Sequence, residues 1–180
     1  MFGGLKLIIF VMGYSQVGQD EWVLSLFPKG FKGFFMDIGC NGPKNINNTL
    51  LLEENGWDGI AVDKVDYSAL WADRKADFIC NDAFNIAYYF RVPSVVDYLS
   101  LDIDDLGSNY KALKMFLINV MIQFKAITIE HNVYIGENFN KEERLPQRQL
   151  LLAMGYKLAY ADIAADGNKF EDWWINLKYF

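Results

Sequence analysis

The sequence predicts an α/β fold with a doubly wound, Rossmann-like sheet whose strands are mostly parallel. Short apolar runs rich in β-branched and aromatic residues alternate with segments of helical spacing, which is typical of successive β-α-β units. One such unit is complete within residues 34–63, where an apolar run and a glycine turn precede a helical segment and a second apolar run. The second run ends in the acid Asp63, as in nucleotide-binding units.

The first half of the chain alternates helices and strands. A helix with Ser15 as its N-cap is expected to pack on the sheet and to end before Pro28. A later helix is expected to turn Leu70 and Trp71 towards the core. The predicted helices are 15–27, 50–55 and 67–75, and the predicted strands are 33–38, 59–62 and 77–80.

The second half continues the alternation and ends in a hairpin. Asp166, Gly167 and Asn168 separate the last two strands, which predicts an antiparallel edge on the otherwise parallel sheet. Helices are predicted over 110–119 and 144–154, and strands over 98–101, 126–129, 156–161 and 173–177. No repeat or linker interrupts the 180 residues, so we expect one domain over 1–180, with 1–14 as an N-terminal arm or short strand.

Composition and charge exclude some classes of function. The net charge is −6 and no basic stripe is present, which argues against sequence-independent binding of nucleic acid. The apolar run 5–12 is far shorter than the roughly 20 residues of a membrane span, so we expect neither a signal peptide nor a membrane partner. Cys40 and Cys80 lack the spacing of a zinc site or disulfide framework, which favours reduced thiols and a cytoplasmic location.

Polar or acidic residues close five predicted strands in succession. They are Asp37, Asp63, Asp82, Asp102 with Asp104, and Glu130 with His131. Ligands of doubly wound sheets bind at the carboxyl ends of the strands, where several acids repel each other unless donors or a cation face them. S-adenosylmethionine, which carries a sulfonium, an ammonium and a ribose diol, suits such a rim better than the pyrophosphate of NAD does.

The glycine turn after the first strand of the unit favours the same kind of ligand. Gly39 and Gly42 lack a Cβ atom, so the backbone is expected to approach a ligand closely and to present N–H groups at the next helix N-terminus. Asp63 is placed to accept hydrogen bonds from a ribose diol. The alternative is an α/β protein in which the glycine turn and the acidic loop bind no nucleotide.

Seven short blocks follow one another along the chain from Ser15. They are Ser15-Gln-x-Gly-Gln-Asp20, Phe35-Met-Asp-Ile-Gly39, Asn48-Thr49 with Leu52-Glu53, Gly56-Trp-x-Gly-Ile60, Leu99-Ser-Leu-Asp102, Thr128-Ile-Glu-His-Asn132 and Gly155-Tyr156. Together they resemble the FkbM-like S-adenosylmethionine-dependent methyltransferases. The resemblance implies a class I methyltransferase fold, with a seven-stranded sheet and an antiparallel C-terminal strand, and O-methylation of a sugar or polyketide-like hydroxyl.

The resemblance also implies a set of cofactor-binding residues. The turn from Asp37 to Asn41, with Gly39, Cys40 and the following Gly42, would lie against the methionine part of S-adenosylmethionine. The remaining implied contacts are Asp63 and Lys64 at the ribose, Asp82 and Ala83 at the adenine, and Asp102. The chain departs from the family pattern at Pro43, where a glycine is common, and at Asp104-Asp105, where a Glu-Gly pair is common.

Methyl transfer to a hydroxyl requires alignment of the acceptor and removal of its proton. His131, the only histidine, is our candidate general base, with Glu130 and Asp102 beside it, because histidine side chains titrate near neutral pH. The alternative is a histidine that only supports the backbone. A second hypothesis is Mg²⁺ held by Asp102 or Asp104 with Glu130 or Asn132; those carboxylates could instead bind the cofactor ammonium or cap helices.

Other polar and aromatic residues leave alternatives open. Gln16, Gln19 and Asp20 could reach the substrate or cap the first helix, and Arg144 and Arg148 are expected to form a solvated helix face. The aromatic residues near the C-terminus favour a core or a homodimer face over a sugar platform; they are Phe170, Trp173, Trp174, Tyr179 and Phe180.

We therefore expect an S-adenosylmethionine-dependent O-methyltransferase that acts on a small-molecule, natural-product or glycan acceptor. The competing hypotheses are a non-catalytic binding or assembly module with the same fold, and a Rossmann enzyme that uses NAD or a nucleotide sugar.

Overall fold

The computed structural model describes residues 13–180, so residues 1–12 of the predicted N-terminal arm lie outside the described residues. The strands are β1 Phe34–Ile38, β2 Asp58–Asp63, β3 Asp77–Cys80, β4 Val95–Leu101, β5 Gln123–Glu130, β6 Tyr156–Ala165 and β7 Asn168–Asn176. The α-helices are α1 Gln19–Leu26, α2 Leu50–Glu54, α3 Ser68–Trp71, α4 Ser108–Lys114, α5 Glu137–Phe139 and α6 Leu145–Ala153. A 3₁₀ helix spans Ile86–Arg91, and π-helical segments span Met115–Val120 and Asn140–Arg144.

The seven strands form one sheet in the order β3-β2-β1-β4-β5-β7-β6. The first five strands of the chain are parallel, while β7 runs antiparallel to both β5 and β6. Strand order reverses between β1 and β4, so their carboxyl ends open a crevice of the kind that holds ligands in doubly wound sheets. The predicted sheet, with its antiparallel C-terminal strand, is confirmed.

The central strands are covered on both faces, which explains why their sequences are nearly continuous apolar runs. Met36 and Ile38 of β1 point into one hydrophobic core. Phe35 of the same strand, together with Tyr98 of β4, points into a second core on the opposite face. None of the helices among residues 13–180 is long and apolar enough to cross a membrane.

Three helices differ from the sequence predictions. Helix α1 begins after Gly18, whose φ of 89° is left-handed, and not at Ser15, because the Ser15 hydroxyl binds the side chain of Asp20 instead of capping a helix. Helix α3 is a single turn in which Trp71 is buried while Leu70 is 59% exposed, so the inward placement of Leu70 is wrong. The predicted helix over 110–119 begins earlier, as α4, and continues as the π-helical segment Met115–Val120.

Asn47 organises the entry into α2. Its Oδ1 atom accepts hydrogen bonds from the backbone N–H groups of Leu50 (2.8 Å) and Thr49 (3.1 Å). The same atom accepts a bond from the Arg74 guanidinium at 3.2 Å. The side chain therefore satisfies N–H groups that the first turn of a helix leaves without partners.

We predict that Asn47→Ala lowers the free energy of unfolding by about 1–2 kcal/mol, because the substitution removes this capping acceptor. Urea denaturation followed by circular dichroism measures the change. Asn55→Ala, at the exposed C-terminal end of α2, is the matched control and is expected to cost less. Equal stability of Asn47→Ala and the unsubstituted protein would contradict the capping role.

Candidate functional site

A cleft opens at the carboxyl ends of β1, β2, β3 and β4, at the position expected for a ligand. It encloses about 850 Å³, including the part open to solvent. Seven of the ten predicted cofactor-binding residues line this cleft. They are Gly39, Asn41, Asp63, Lys64, Asp82, Ala83 and Asp102.

Asp63 at the end of β2 is held in place by two backbone groups. Its Oδ2 atom accepts the N–H of Asn41 at 2.9 Å, and its Oδ1 atom accepts the N–H of Val65 at 2.8 Å. Each carboxylate oxygen has two lone pairs, so each retains one acceptor position. The carboxylate is thus fixed in orientation and still able to accept hydrogen bonds from a diol.

The turn after β1 differs from its prediction. A Cβ atom on Gly39 would lie 1.7 Å from the carbonyl oxygen of Asp102, so this residue must be glycine for β1 and β4 to end side by side. The Gly39 N–H donates to Val62 at 2.9 Å and is occupied within the sheet. The turn is not followed directly by a helix, because α2 begins only at Leu50. The prediction that the turn presents N–H groups at a helix N-terminus is therefore wrong.

Three residues predicted to contact the cofactor do not line the cleft. Asp37 is buried beside it and accepts a hydrogen bond from the Thr49 hydroxyl at 2.9 Å. Burial raises the pKa of Asp37 to about 6, although the hydrogen bond from Thr49 opposes the shift. Cys40 is buried, and burial raises the pKa of its thiol, as expected for a packing residue. Gly42 also lies outside the lining.

One end of the cleft is formed by the loop after β3. Asp82 Oδ1 accepts the backbone N–H of Phe84 at 2.8 Å, which folds the loop back on itself. Phe84 is 39% exposed and contributes an aromatic side chain to the lining, with Asn81 and Tyr67 nearby. These three residues were missed from the sequence because polar and aromatic loop residues carry no periodic signal.

Lys64 lines the cleft and pairs with Asp105 across its mouth. Lys64 Nζ lies 3.3 Å from Asp105 Oδ2, and the two side chains are 68% and 70% exposed. A pair this exposed contributes little to stability. It does bring together the loops that follow β2 and β4.

A second cavity adjoins the cleft and shares Asp102 and Asp104 with it. This cavity encloses about 750 Å³, including open solvent, and extends towards the end of β5 and the β6-β7 turn. Its other lining residues are Gln16, Glu130, Asn132, Tyr134, Ile135, Ala165, Asp166, Asn168 and Phe170. A molecule in the cleft and another in the second cavity would therefore meet at Asp102 and Asp104.

Asp102 and Glu130 interact at the boundary of the two cavities. Burial raises the pKa of Asp102 well above its usual range, and the neighbouring Glu130 raises it further. Burial likewise raises the pKa of Glu130 to about 7. The Oδ1 atom of Asp102 is buried and has no hydrogen-bond donor among the described residues. Two carboxylates in contact satisfy each other only when they share a proton, so the pair holds at least one proton at neutral pH.

A polar network holds this pair in place. Asn109 accepts the N–H of Ile103 at 2.7 Å and donates to the backbone carbonyl of Glu130 at 3.3 Å. Gln147 of α6 donates to the same carbonyl at 2.9 Å. Asn132 Nδ2 donates to Glu130 Oε2 at 2.8 Å, which fixes the carboxylate itself. The network fixes the position of Glu130, and it could not be inferred from local sequence.

His131 is placed differently from its prediction. Its side chain is fully buried and lines neither cavity. Its Nε2 atom lies 3.5 Å from Asp172 and 3.6 Å from Asp162. An imidazole enclosed in this way does not reach a bound acceptor, so the structure favours the supporting role over that of general base.

The carboxylates that face His131 are held by two arginines. Arg148 Nε lies 2.7 Å from Asp172 Oδ2, and Arg144 Nη1 lies 2.9 Å from Asp162 Oδ1. Burial alone would raise the pKa of Asp172, but the hydrogen bonds from Arg148 and the nearby His131 side chain outweigh it and lower the pKa to about 2. Arg144 and Arg148 are therefore part of a half-buried network that ties α6 to the β6-β7 hairpin, and the predicted solvated face is wrong.

We predict that His131→Gln changes the methyl-transfer rate by less than about tenfold, well below the effect of removing a general base. The same substitution is expected to lower the free energy of unfolding by about 1–3 kcal/mol, because it disturbs a buried polar network. Thermal unfolding and a transfer assay on the same preparation measure both quantities. A rate loss above about a hundredfold in a protein of unchanged stability would restore His131 as the base.

The geometry gives no support to a Mg²⁺ site. Among residues 13–180, one group of three His, Cys, Asp or Glu residues has ligand atoms within 4.8 Å of one another, namely His131, Asp162 and Asp172. Its carboxylates already bind Arg144 and Arg148. Asp102, Asp104 and Glu130, the carboxylates of the predicted alternative, do not form such a group within residues 13–180.

The segment before α1 contributes one residue to the lining of the second cavity. Gln16 is exposed and lines it. Gln19 and Asp20 are buried; Asp20 accepts the N–H of Tyr14 at 2.8 Å, and Gln19 donates to Glu171 at 3.4 Å. Of the three residues predicted either to reach the substrate or to cap the helix, only Gln16 faces a cavity.

The aromatic residues near the C-terminus divide between core and surface. Phe170, Trp173 and Trp174 are buried, and Phe170 also lines the second cavity. Phe180 is 48% exposed. The core placement is confirmed for the three buried residues, and the homodimer stays a prediction.

Comparisons with known proteins bear on the fold. No protein-family model matches the chain, and no curated protein matches it. A candidate rRNA methylase from Clostridium thermocellum is similar in structure, with 16% sequence identity, a TM-score of 0.60 and coverage of 92% of this chain and 97% of the other. Aeropyrum pernix fibrillarin, solved with natively bound S-adenosyl-L-methionine, is 13% identical, with a TM-score of 0.52 and coverage of 88% and 73%.

A third similar structure belongs to a protein of the NADB-Rossmann superfamily from Streptococcus agalactiae. It is 14% identical, with a TM-score of 0.52 and coverage of 93% of this chain and 71% of the other. At these identities the similarity concerns the fold, and the resemblance to FkbM-like proteins stays a prediction. The seven-stranded sheet, its order and its antiparallel C-terminal strands are those of class I S-adenosylmethionine-dependent methyltransferases.

Proposed function

We propose that the protein is an S-adenosylmethionine-dependent methyltransferase that methylates a hydroxyl of a small-molecule or glycan acceptor. The observation that carries the proposal is the meeting of two cavities at a half-buried carboxylate pair, Asp102 and Glu130. One cavity has the lining expected for a nucleoside. The other offers a base and room for an acceptor.

The lining of the cleft fits S-adenosylmethionine, which when bound supplies an electrophilic methyl group on a sulfonium. The Asp63 carboxylate retains acceptor positions for the two ribose hydroxyls. Ala83 and Phe84 offer apolar surface to the adenine, and Asp82 offers acceptor capacity for its amino group. Asp104, which lines the cleft beside Asp102, offers negative charge to the methionine part.

The Asp102–Glu130 pair would remove the acceptor proton. A carboxylate whose pKa is raised to about 7 by burial is partly deprotonated at neutral pH and is a stronger base than an ordinary glutamate. Glu130 would take the hydroxyl proton as the oxygen–carbon bond forms and the carbon–sulfur bond breaks. Asp102 keeps its own proton and donates a hydrogen bond to Glu130, which the Asn132 amide also orients at 2.8 Å.

The acceptor proposed here is a small molecule or a glycan, and not a nucleic acid. The net charge is −6, and no Lys, Arg or His lines the second cavity among the described residues. Nucleic-acid binding depends on basic residues that neutralise phosphates. The rRNA methylase similarity concerns the fold and does not alter this argument.

Calorimetric titration of the protein with S-adenosylmethionine, S-adenosylhomocysteine and NAD tests the proposal. We expect the first two ligands to bind and NAD to give no heat of binding. Release of S-adenosylhomocysteine with hydroxyl acceptors then separates an enzyme from a non-catalytic module of the same fold. Binding of NAD in place of both sulfur ligands would overturn the proposal.

A further inference from the structure

The edge of the sheet opposite the cleft carries an apolar groove. At this edge β5 and β6 begin and β7 ends, because β7 runs antiparallel to both. The groove encloses about 910 Å³, including open solvent. Leu117, Met121, Ile122 and Met154 contribute apolar side chains to its lining, and Lys178 contributes a charge. None of these residues lines the cleft or the second cavity.

Apolar side chains at and beside the groove are exposed. Met121 and Met154, which line the groove, are 72% and 44% exposed. Three residues close to the lining along the chain, Ile118, Leu152 and Leu177, are 49%, 61% and 57% exposed. Exposed apolar side chains that lie together are typical of a surface that contacts another molecule.

The segments that form this edge contain no acidic residue. Residues 108–125, 145–161 and 173–180 include none of the 23 Asp and Glu residues of the chain. The same segments contain Lys111, Lys114, Lys125, Arg148, Lys157 and Lys178. Because the whole chain has a net charge of −6, this concentration of positive charge is a local feature.

Three of these lysines have charges that no carboxylate balances. Lys114, Lys157 and Lys178 are exposed and take part in no ion pair within residues 13–180. Lys125 differs, since its Nζ atom lies 2.6 Å from Asp97. The three exposed lysines are therefore available to a negatively charged partner.

The two edges of the sheet differ in the sign of their charge. Asp63, Asp82 and Asp104 line the cleft at the carboxyl ends of the strands. Asp58 and Asp77, which are exposed at the amino-terminal edge, begin β2 and β3 on the other half of the sheet. A negatively charged surface would therefore attract the molecule by the end that carries the groove and repel the end that carries the cleft.

We propose that this edge of the protein docks on the surface of a bilayer that contains anionic lipids. The exposed Met, Ile and Leu side chains would enter the interfacial layer, and the three lysines would lie at the level of the anionic headgroups. A fluid lipid surface accommodates side chains that project from three separate segments without a matching shape. The cleft would face the aqueous phase.

Docking on a membrane surface goes beyond the proposed function and does not depend on it. It revises the expectation that the protein has no membrane partner, because that expectation considered only segments that could span a bilayer.

Sedimentation of the full chain with lipid vesicles tests the proposal. Vesicles of phosphatidylcholine alone are compared with vesicles of phosphatidylcholine and phosphatidylglycerol in equal parts. We expect the protein to sediment with the anionic vesicles and to stay in solution with the neutral ones. Added salt is expected to weaken the binding, because it screens the lysine charges.

Methionine signals in nuclear magnetic resonance spectra locate the contact. The protein is labelled with ¹³C at its methionine methyl groups and mixed with anionic nanodiscs that carry a spin label on the lipid headgroup. We expect the signals of Met121 and Met154 to broaden. Met36, which is 0% exposed in the core, is the internal reference and should keep its signal.

A matched pair of variants tests the apolar contact. Met121 has a φ of 61°, which asparagine tolerates, so Met121→Asn removes the apolar side chain and preserves the turn. Ile46→Asn is the control, because Ile46 is 67% exposed, has a φ of 50° and lies outside the groove. We expect Met121→Asn to weaken vesicle binding about five- to tenfold and Ile46→Asn to leave it unchanged.

A second pair of variants tests the charges. Lys114→Gln, Lys157→Gln and Lys178→Gln together are expected to weaken binding to anionic vesicles by about a hundredfold. The control replaces three other exposed lysines, which lie outside the groove, and changes the net charge equally; it combines Lys44→Gln, Lys75→Gln and Lys141→Gln. We expect the control to bind much as the unsubstituted protein does.

Failure to sediment with anionic vesicles, or equal sedimentation with neutral ones, would overturn the inference. So would equal losses of binding in the test variants and their controls. Light scattering examines the other occupant of such a surface. A dimer that Met121→Asn dissociates, in a protein that does not sediment with vesicles, would assign the groove to a second copy of the chain and overturn the inference as well.

Discussion

Glu130→Gln is expected to lower the methyl-transfer rate by about 10²–10⁴-fold, the range typical of losing a general base. Glutamine keeps the size of the side chain and can still contact Asn132 and Asp102, so the cavity should retain its shape. The affinity for S-adenosylmethionine should change little, because Glu130 lines the second cavity and not the cleft. Turnover with a saturating cofactor, together with calorimetric cofactor binding, measures both quantities.

The same residue sets the expected pH dependence. Burial raises the pKa of Glu130 to about 7, and only its deprotonated form accepts a proton. The rate should therefore rise with pH and reach half its maximum near pH 7. This dependence should disappear from the residual activity of Glu130→Gln. A normal rate in the variant, or an unchanged pH profile, would show that another group takes the proton.

Asp63→Ala is expected to weaken S-adenosylmethionine binding by about a hundredfold or more. Hydrogen bonds to a charged acceptor contribute about 1.5–3 kcal/mol each, and the substitution removes the proposed acceptor of two ribose hydroxyls. It also releases the N–H groups of Asn41 and Val65, which Asp63 holds at 2.9 Å and 2.8 Å. Isothermal titration calorimetry measures the loss.

Two controls separate the contact with ribose from the support of the loop. Asp63→Asn keeps one oxygen acceptor and should fall between Asp63→Ala and the unsubstituted protein. Asp73→Asn, an exposed substitution outside both cavities, should leave cofactor affinity unchanged. Unaltered affinity in Asp63→Ala would mean that the nucleoside does not bind at the end of β2.

The sheet could be predicted from the sequence because its signals are local. Apolar runs such as residues 34–38 and 95–101 are buried on both faces in the structure, and the turn at Asp166 and Gly167 closes the terminal hairpin. Parallel strands then carry their terminal residues to one edge by geometry alone. That is why Asp63, Asp82 and Asp102 were placed in the cleft correctly.

The site was less predictable where side-chain direction matters. Asp37 is one residue from the end of β1, yet it is buried outside the lining of the cleft and accepts a hydrogen bond from Thr49. His131 follows Glu130 directly, but the side chains of the two residues point in different directions. The His131 imidazole lies beside Asp162 and Asp172. A strand-end position in the sequence fixes which edge a residue reaches, whereas the alternation of side chains decides which cavity it faces.

Contacts between segments that are distant along the chain could not be predicted from the sequence either. Asn109 and Gln147 both bind the Glu130 carbonyl, although they lie 21 and 17 residues away. Gly39 illustrates the same limit, since the strand-end contact with Asp102 that excludes a Cβ atom is visible only in three dimensions. A glycine required for packing and a glycine required for a ligand look identical in one sequence.

A crystal structure of the protein with S-adenosylhomocysteine tests the central claim most directly. We predict that the ribose hydroxyls lie within hydrogen-bonding distance of Asp63, that the adenine lies beside Ala83 and Phe84, and that the sulfur faces Asp102 at the boundary with the second cavity. A ligand bound elsewhere, or bound in the cleft with its sulfur directed away from Asp102 and Glu130, would contradict the account.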